Sequence, residues 1–162
     1  MLTMPLPTPS LLAVATGVVS SAWSSGVIAS MSLAGVPAAL VASSPATIWA
    51  EIFARGVALM PKVAVTTAGA FLYAAYDTRR RGGNWLGFVA GGVLTVSIVP
   101  YTLAFMVGTN DLLHGAARGV SALGEHEVRK LVGRWGVLNL GRSLLPLAGA
   151  GVGFLTLIQN VV

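Results

Sequence analysis

SLLAVATGVVSSAWSSGVIASMSL, residues 10–33, runs for 24 residues without a charged side chain. A helix rises about 1.5 Å per residue and needs about 20 apolar residues to cross a hydrocarbon core about 30 Å thick, so this stretch reads as a membrane span. Its interior is dense in small residues, Ser20, Ser21, Ser24, Ser25, Gly26 and Ser30. Such residues let helices approach closely and share side-chain hydrogen bonds, which places the span inside a bundle. The rest of the chain agrees: 55% of residues are hydrophobic, 9% are charged and the mean hydropathy is +0.80. Soluble domains carry about 25% charged residues. A chain of 162 residues holds about four spans with their connections and has no room for a separate soluble catalytic domain. Residues 1–9 contain no Lys or Arg and three prolines, so a cleaved basic leader is not expected and the first span is read as retained.

Beyond this span, Pro37 and the Ser43, Ser44, Pro45 cluster predict a turn. A second span covers about 47–76; Glu51 and Arg55 stand i, i+4 as a helical ion pair, and the first half reads as an interfacial helix kinked at Pro61. Residues 77–84, DTRRRGGN, read as a basic loop. The third span covers about 85–107, with Trp85 as an interfacial anchor and a kink at Pro100. Leu123, Val128, Leu131 and Val132 suit an amphipathic helix on the surface, and the fourth span runs from 135 to 162. The predicted fold is all-α: a single-domain integral membrane four-helix bundle over residues 1–162, with a short amphipathic segment between helices 3 and 4 and both termini on one side. Arg79, Arg80 and Arg81 in one loop oppose Arg118, Arg129, Lys130 and Arg134 in another, so loop charge fixes no orientation. No internal repeat or low-complexity tract is visible.

The absence of cysteine removes disulfides, thiolate nucleophiles and thiolate metal sites. The net charge of +5 gathers at segment ends, where it meets lipid headgroups, and nucleic acid is not an expected partner. No phosphate-binding loop, dinucleotide fingerprint or nucleophile elbow occurs, so any catalysis uses an acid-base site and a lipid- or oxygen-soluble substrate.

Trp135, Asn139 and Arg142 stand at i, i+4, i+7 on one helix face. A charge in the apolar zone is costly and is usually turned inward and paired, which makes Arg142 a site candidate; the alternative is that it snorkels to headgroups. Thr102, Met106 and Thr109 share one face at the end of the third span, and Asn110 lies one turn from His114. These groups suit a phenolic ligand and a proton acceptor, or equally serve as helix caps. His114 and His126, with Asp111, Glu125 or Glu127, have no recognised metal-ligand spacing. Lys62 reads as a donor to a bound anion or as a marker of the interface after Pro61.

Residues 100–113, PYTLAFMVGTNDLL, followed by 131–142, LVGRWGVLNLGR, resemble the small fungal anthrone oxygenase family, membrane proteins of aromatic polyketide pathways. Segment order, Val36 and Pro37 after the first span, and the 56–61 region share in the likeness. The resemblance implies oxidation of an anthrone to an anthraquinone by molecular oxygen with no organic cofactor. For that chemistry our own reading of the residues takes His114 as the base, oriented by Asp111 or Asn110. Arg142 holds phenolate or peroxide charge, Asn139 and Tyr101 donate hydrogen bonds, and Trp135 packs on the flat substrate. Thr102, Thr109 and Met106 complete the substrate contacts. The expected partners are a hydrophobic polycyclic phenol, the bilayer of the endoplasmic reticulum or another endomembrane, and a second copy of the chain in a homo-oligomer. Two other classes stand beside this one: a non-catalytic assembly or transport component, and a metal-dependent membrane oxidase using His114 and His126.

Overall fold

The structure is a computed structural model describing residues 6–161, so the reading of residues 1–9 falls partly outside the described residues. Four helices are long and apolar enough to span a membrane: α1 (Thr8–Val41), α2 (Pro45–Arg80), α3 (Leu86–Phe105) and α5 (Glu125–Val161). A short helix α4 (Val107–Ala117) lies between the last two and buries one stripe, Thr109, Asn110 and Leu113. Three buried clusters stack along the bundle. Val14, Phe71 and Phe88 mark one end; Ile28, Met60 and Ile98 the middle; Val36, Trp49, Val132 and Trp135 the other end. Successive spans visit these levels in alternating order, so neighbours run antiparallel. Both described ends meet at the first level, where Ser10 Oγ donates to Asp77 Oδ2 at 2.5 Å and Asn160 Nδ2 to the Asn84 carbonyl at 2.8 Å.

Small residues set the helix spacing at that end. The fully buried Phe71 ring of α2 lies against Gly17 of α1, Gly91 of α3 and Gly153 of α5; a Cβ at Gly153 would stand 2.5 Å from it. Glycine here substitutes for the missing hydrophobic drive between helices in lipid by allowing close van der Waals contact. α3, with 20 residues, is about 30 Å long and matches the hydrocarbon core, whereas α1, α2 and α5 have 34 to 37 residues and reach about 50–55 Å. The surplus extends past the end of α3, and α4 packs against it. There the Arg129 guanidinium bonds the Leu40 and Ala42 carbonyls and ties the α1–α2 connection to α5.

Four local expectations change. Pro37 makes no turn; α1 continues through it because Met31–Gly35 winds as a π-helical turn, with the Val36 N–H reaching back five residues to the Met31 carbonyl. A wider turn accommodates a residue that has no N–H and whose ring excludes the carbonyl four residues before it. The first half of α2 is no separate interfacial helix, since α2 runs unbroken through Pro61. It also outlasts Tyr76, ending where Gly82 adopts φ +74° and the Gly83 N–H caps the Thr78 carbonyl at 3.0 Å. Gly119, φ +70°, ends α4 in the same way, with the Val120 N–H on the Gly115 carbonyl at 3.1 Å. Finally, Val128, Leu131 and Val132 open α5 itself, and Leu123 lies in the connection before it. The surface-helix pattern therefore belongs to the first turns of a spanning helix, and α4 is the short amphipathic segment.

Candidate active site

The i, i+4, i+7 face of α5 meets α1 and α3 at the level where α3 nears its end. Asn139 is fully buried; its Nδ2 donates to the Ile28 carbonyl and to Ser32 Oγ, both at 2.9 Å, and its Oδ1 accepts from Arg142 Nη2 at 2.8 Å. Arg142 Nη1 donates to Thr102 Oγ1 at 2.8 Å, and that hydroxyl donates in turn to the Ile98 carbonyl at 2.8 Å. A guanidinium has five N–H donors, of which two are used here, and the buried Arg142 Nε has no partner.

Arg142 and Trp135 form the inner wall of an open cavity between α2 and α3, shared with Met31 of α1 and Phe53 and Gly56 of α2. The buried Trp135 Nε1 also lacks a partner. The outer rim is apolar and faces away from the bundle: Val57 is 55% exposed, Val99 42% and Leu103 65%. In a spanning bundle such a rim opens sideways to lipid.

No carboxylate pairs with Arg142 among the described residues. Asp77 and Glu125 bind Arg81 at 2.9 Å and Arg129 at 2.5 Å, Glu51 faces Arg55 at 3.8 Å, and Asp111 and Glu127 are exposed. A cation with no carboxylate partner on an apolar wall can hold an oxygen atom carrying negative charge.

The other sequence candidates separate. Tyr101 is half-buried with its hydroxyl over Gly141, where a Cβ would stand 3.0 Å away, and its ring lies 4.9 Å from Phe105; it is beside the cavity, not on its wall. Met106 belongs to the core around Trp49 and Trp135. Thr109 lines a separate surface hollow with Arg134. Asn110 is buried with Oδ1 unpartnered, and Asp111 points outward. His114 is half-buried, its ring 4.9 Å from both Trp49 and Phe53, and Trp49 stands 6.0 Å from Trp135. His114 is therefore not on the cavity wall, and Phe53 is the lining residue that its ring touches. His126 is exposed at the start of α5, and no group of three or more His, Asp or Glu side chains gathers among the described residues. Lys62 is exposed near the middle of α2.

Sequence reading missed Ser32, Met31, Phe53 and Gly56. Three of these are ordinary span residues with no chemical mark, and Ser32 was one of many small polar residues in α1.

The profile of the anthrone oxygenase family matches residues 49–152. An anthrone oxygenase of Aspergillus fumigatus is 32% identical over 97% of this chain and 100% of its own length. An anthrone oxygenase of Paecilomyces divaricatus is 35% identical over 87% of this chain and 92% of its own, and a noranthrone monooxygenase of Aspergillus flavus is 39% identical over 66% and 53%. No solved structure matches the chain.

Proposed function

The chain belongs to the anthrone oxygenase family, and from that premise we propose that it oxidises an anthrone to the corresponding anthraquinone within the bilayer, using molecular oxygen and no organic cofactor or metal. The observation that carries this reading is the unpaired Arg142, braced by Thr102 and Asn139 on the wall of an apolar cavity. An anthrone carries a carbonyl oxygen across its central ring from an acidic methylene. Loss of a methylene proton moves charge onto that oxygen, where Arg142 stabilises it as it develops. The electron-rich anion then reduces dioxygen and forms a C–O bond, giving a hydroperoxide at the former methylene. Loss of the second methylene proton with cleavage of the O–O bond leaves the new carbonyl, and the other oxygen departs as water. One anthrone and one dioxygen give one anthraquinone and one water.

His114 is the proposed proton acceptor, an imidazole being able to take a proton on a free ring nitrogen. It is off the cavity wall and touches the lining Phe53, so the Phe53 ring must turn aside for transfer. A second reading is favoured by the lining itself, which holds no imidazole or carboxylate among the described residues. In it the substrate binds as its phenolic tautomer and ionises at oxygen against Arg142. Anthrone deuterated at the methylene separates the two through kcat/KM, which is blind to the later loss of the second methylene proton: a primary isotope effect on it supports a carbon base, and its absence supports the tautomer. Both readings bring a planar, apolar substrate and dioxygen through the lipid-facing rim. Placement in the endoplasmic reticulum or another endomembrane, and self-association, complete the proposal; fractionation and sizing in detergent test them. The functional reading itself is tested by oxygen uptake on addition of anthrone to vesicles carrying the protein, before and after treatment with chelator. Uptake that survives chelation supports it; uptake lost on chelation and restored by metal would contradict it.

A further inference from the structure

We infer that Ser32, in the π-helical turn of α1, is a positioning residue that acts through Asn139 to hold Arg142 in place; this rests on the reading of Arg142 as the group that stabilises the substrate oxygen. Asn139 can face Arg142 with its oxygen or with its NH2. Only the oxygen accepts from a guanidinium, and the opposite orientation would set donor against donor. What selects the orientation is α1, whose Ile28 carbonyl and Ser32 Oγ both accept from Asn139 Nδ2 at 2.9 Å. With both amide hydrogens committed there, Oδ1 is left for Arg142 Nη2 at 2.8 Å.

A helical serine ordinarily turns its hydroxyl back to the carbonyl four residues earlier, which for Ser32 is Ile28. Here the Asn139 amide bridges those two oxygens instead. Ser32 is 8% exposed and lies inside the turn Met31–Gly35, the irregularity that lets α1 continue through Pro37. Neither Ile28 nor Ser32 falls within residues 49–152, the part of the chain matched by the family profile. Thr102 fixes the other side of the guanidinium, its hydroxyl hydrogen engaged by Ile98, so Arg142 is held between two acceptors oriented in advance.

The test compares kcat and KM for anthrone in the wild type, Ser32→Ala, Ser32→Thr, Asn139→Ala and the Ser32→Ala, Asn139→Ala double variant, all in vesicles. Ser32→Ala should lower kcat about fivefold, the worth of one hydrogen bond, and leave KM within about twofold. Ser32→Thr, which keeps the hydroxyl, should recover the loss. In the Asn139→Ala background, Ser32→Ala should cost nothing further, because the link is already gone. Wild-type kcat in Ser32→Ala, or the same loss in both backgrounds, would overturn the inference. A wild type that oxidises no anthrone would sink the functional reading alone. The positional claim is then judged from the Arg142 Nε–H resonance, which should move in Ser32→Ala and Asn139→Ala alike and would refute the link by staying put.

Discussion

Replacing Arg142 with Met should separate chemistry from stability. The guanidinium donates two hydrogen bonds of 2.8 Å, to Thr102 and Asn139, and no carboxylate pairs with it among the described residues. Hydrogen bonds from a charged donor contribute about 1.5–3 kcal/mol each, while holding Arg in the apolar zone costs about 2.5–3.5 kcal/mol on insertion scales. The terms are opposite and of similar size, and Met restores apolar contact with the cavity wall. Thermal stability should therefore change by no more than about 2 kcal/mol, or a few degrees in unfolding midpoint for a chain of this length. The reaction has no such compensation. Loss of an oxyanion donor costs about 10²–10³ in kcat, or about 3–4 kcal/mol of transition-state stabilisation. Anthraquinone formation in vesicles at saturating oxygen, beside unfolding followed by tryptophan fluorescence, measures both. A variant within threefold of wild-type kcat, or one that fails to fold, would refute the reasoning.

Other substitutions probe separate parts of the account. His114→Phe should lower kcat by about 10²-fold or more if His114 takes the methylene proton, whereas unchanged turnover would favour ionisation of the phenolic tautomer. Asp111→Asn, at an exposed side chain with no bond to His114, should leave turnover unaltered and stability within about 0.5 kcal/mol; a large loss of rate would bring Asp111 back into the site. Leu103→Trp at the lipid-facing rim should reduce kcat/KM by about tenfold or more, and an unaffected value would argue for another route to the cavity. Gly153→Val should destabilise by about 1–3 kcal/mol because a side chain there meets the Phe71 ring; an unchanged unfolding midpoint would contradict the close packing of α2 on α5.

Hydropathy made the four spans legible because each is a helix of at least 20 residues with a strongly apolar stretch that carries few charges. The ends were less so. Asp77 and Arg81 look like a loop by charge, yet Asp77 lies in the last turn of α2 and pairs i, i+4 with Arg81 at its cap, and Gly82 sets the end of the helix through its left-handed backbone. Pro37 suggested a break, and the π-helical turn that absorbs it has no marker in residue type. Within the site, Trp135, Asn139 and Arg142 were legible because polar side chains on an apolar helix at i, i+4, i+7 are costly without a shared purpose. Thr102 was found as part of a polar group, but its neighbours Thr109, Asn110 and Asp111 turn to other faces once α4 departs from α3 at Met106. Phe53 and Ser32 come from helices distant in sequence, and only the packing of the bundle brings them to Arg142 and the cavity.

Oxidation by the chain itself is measured by adding anthrone to lipid vesicles with and without the purified chain, in air and under nitrogen, and following anthraquinone formation. The rate in air should rise in proportion to protein, exceed the spontaneous oxidation in empty vesicles and vanish under nitrogen. A rate equal to that of empty vesicles at every protein level would contradict it.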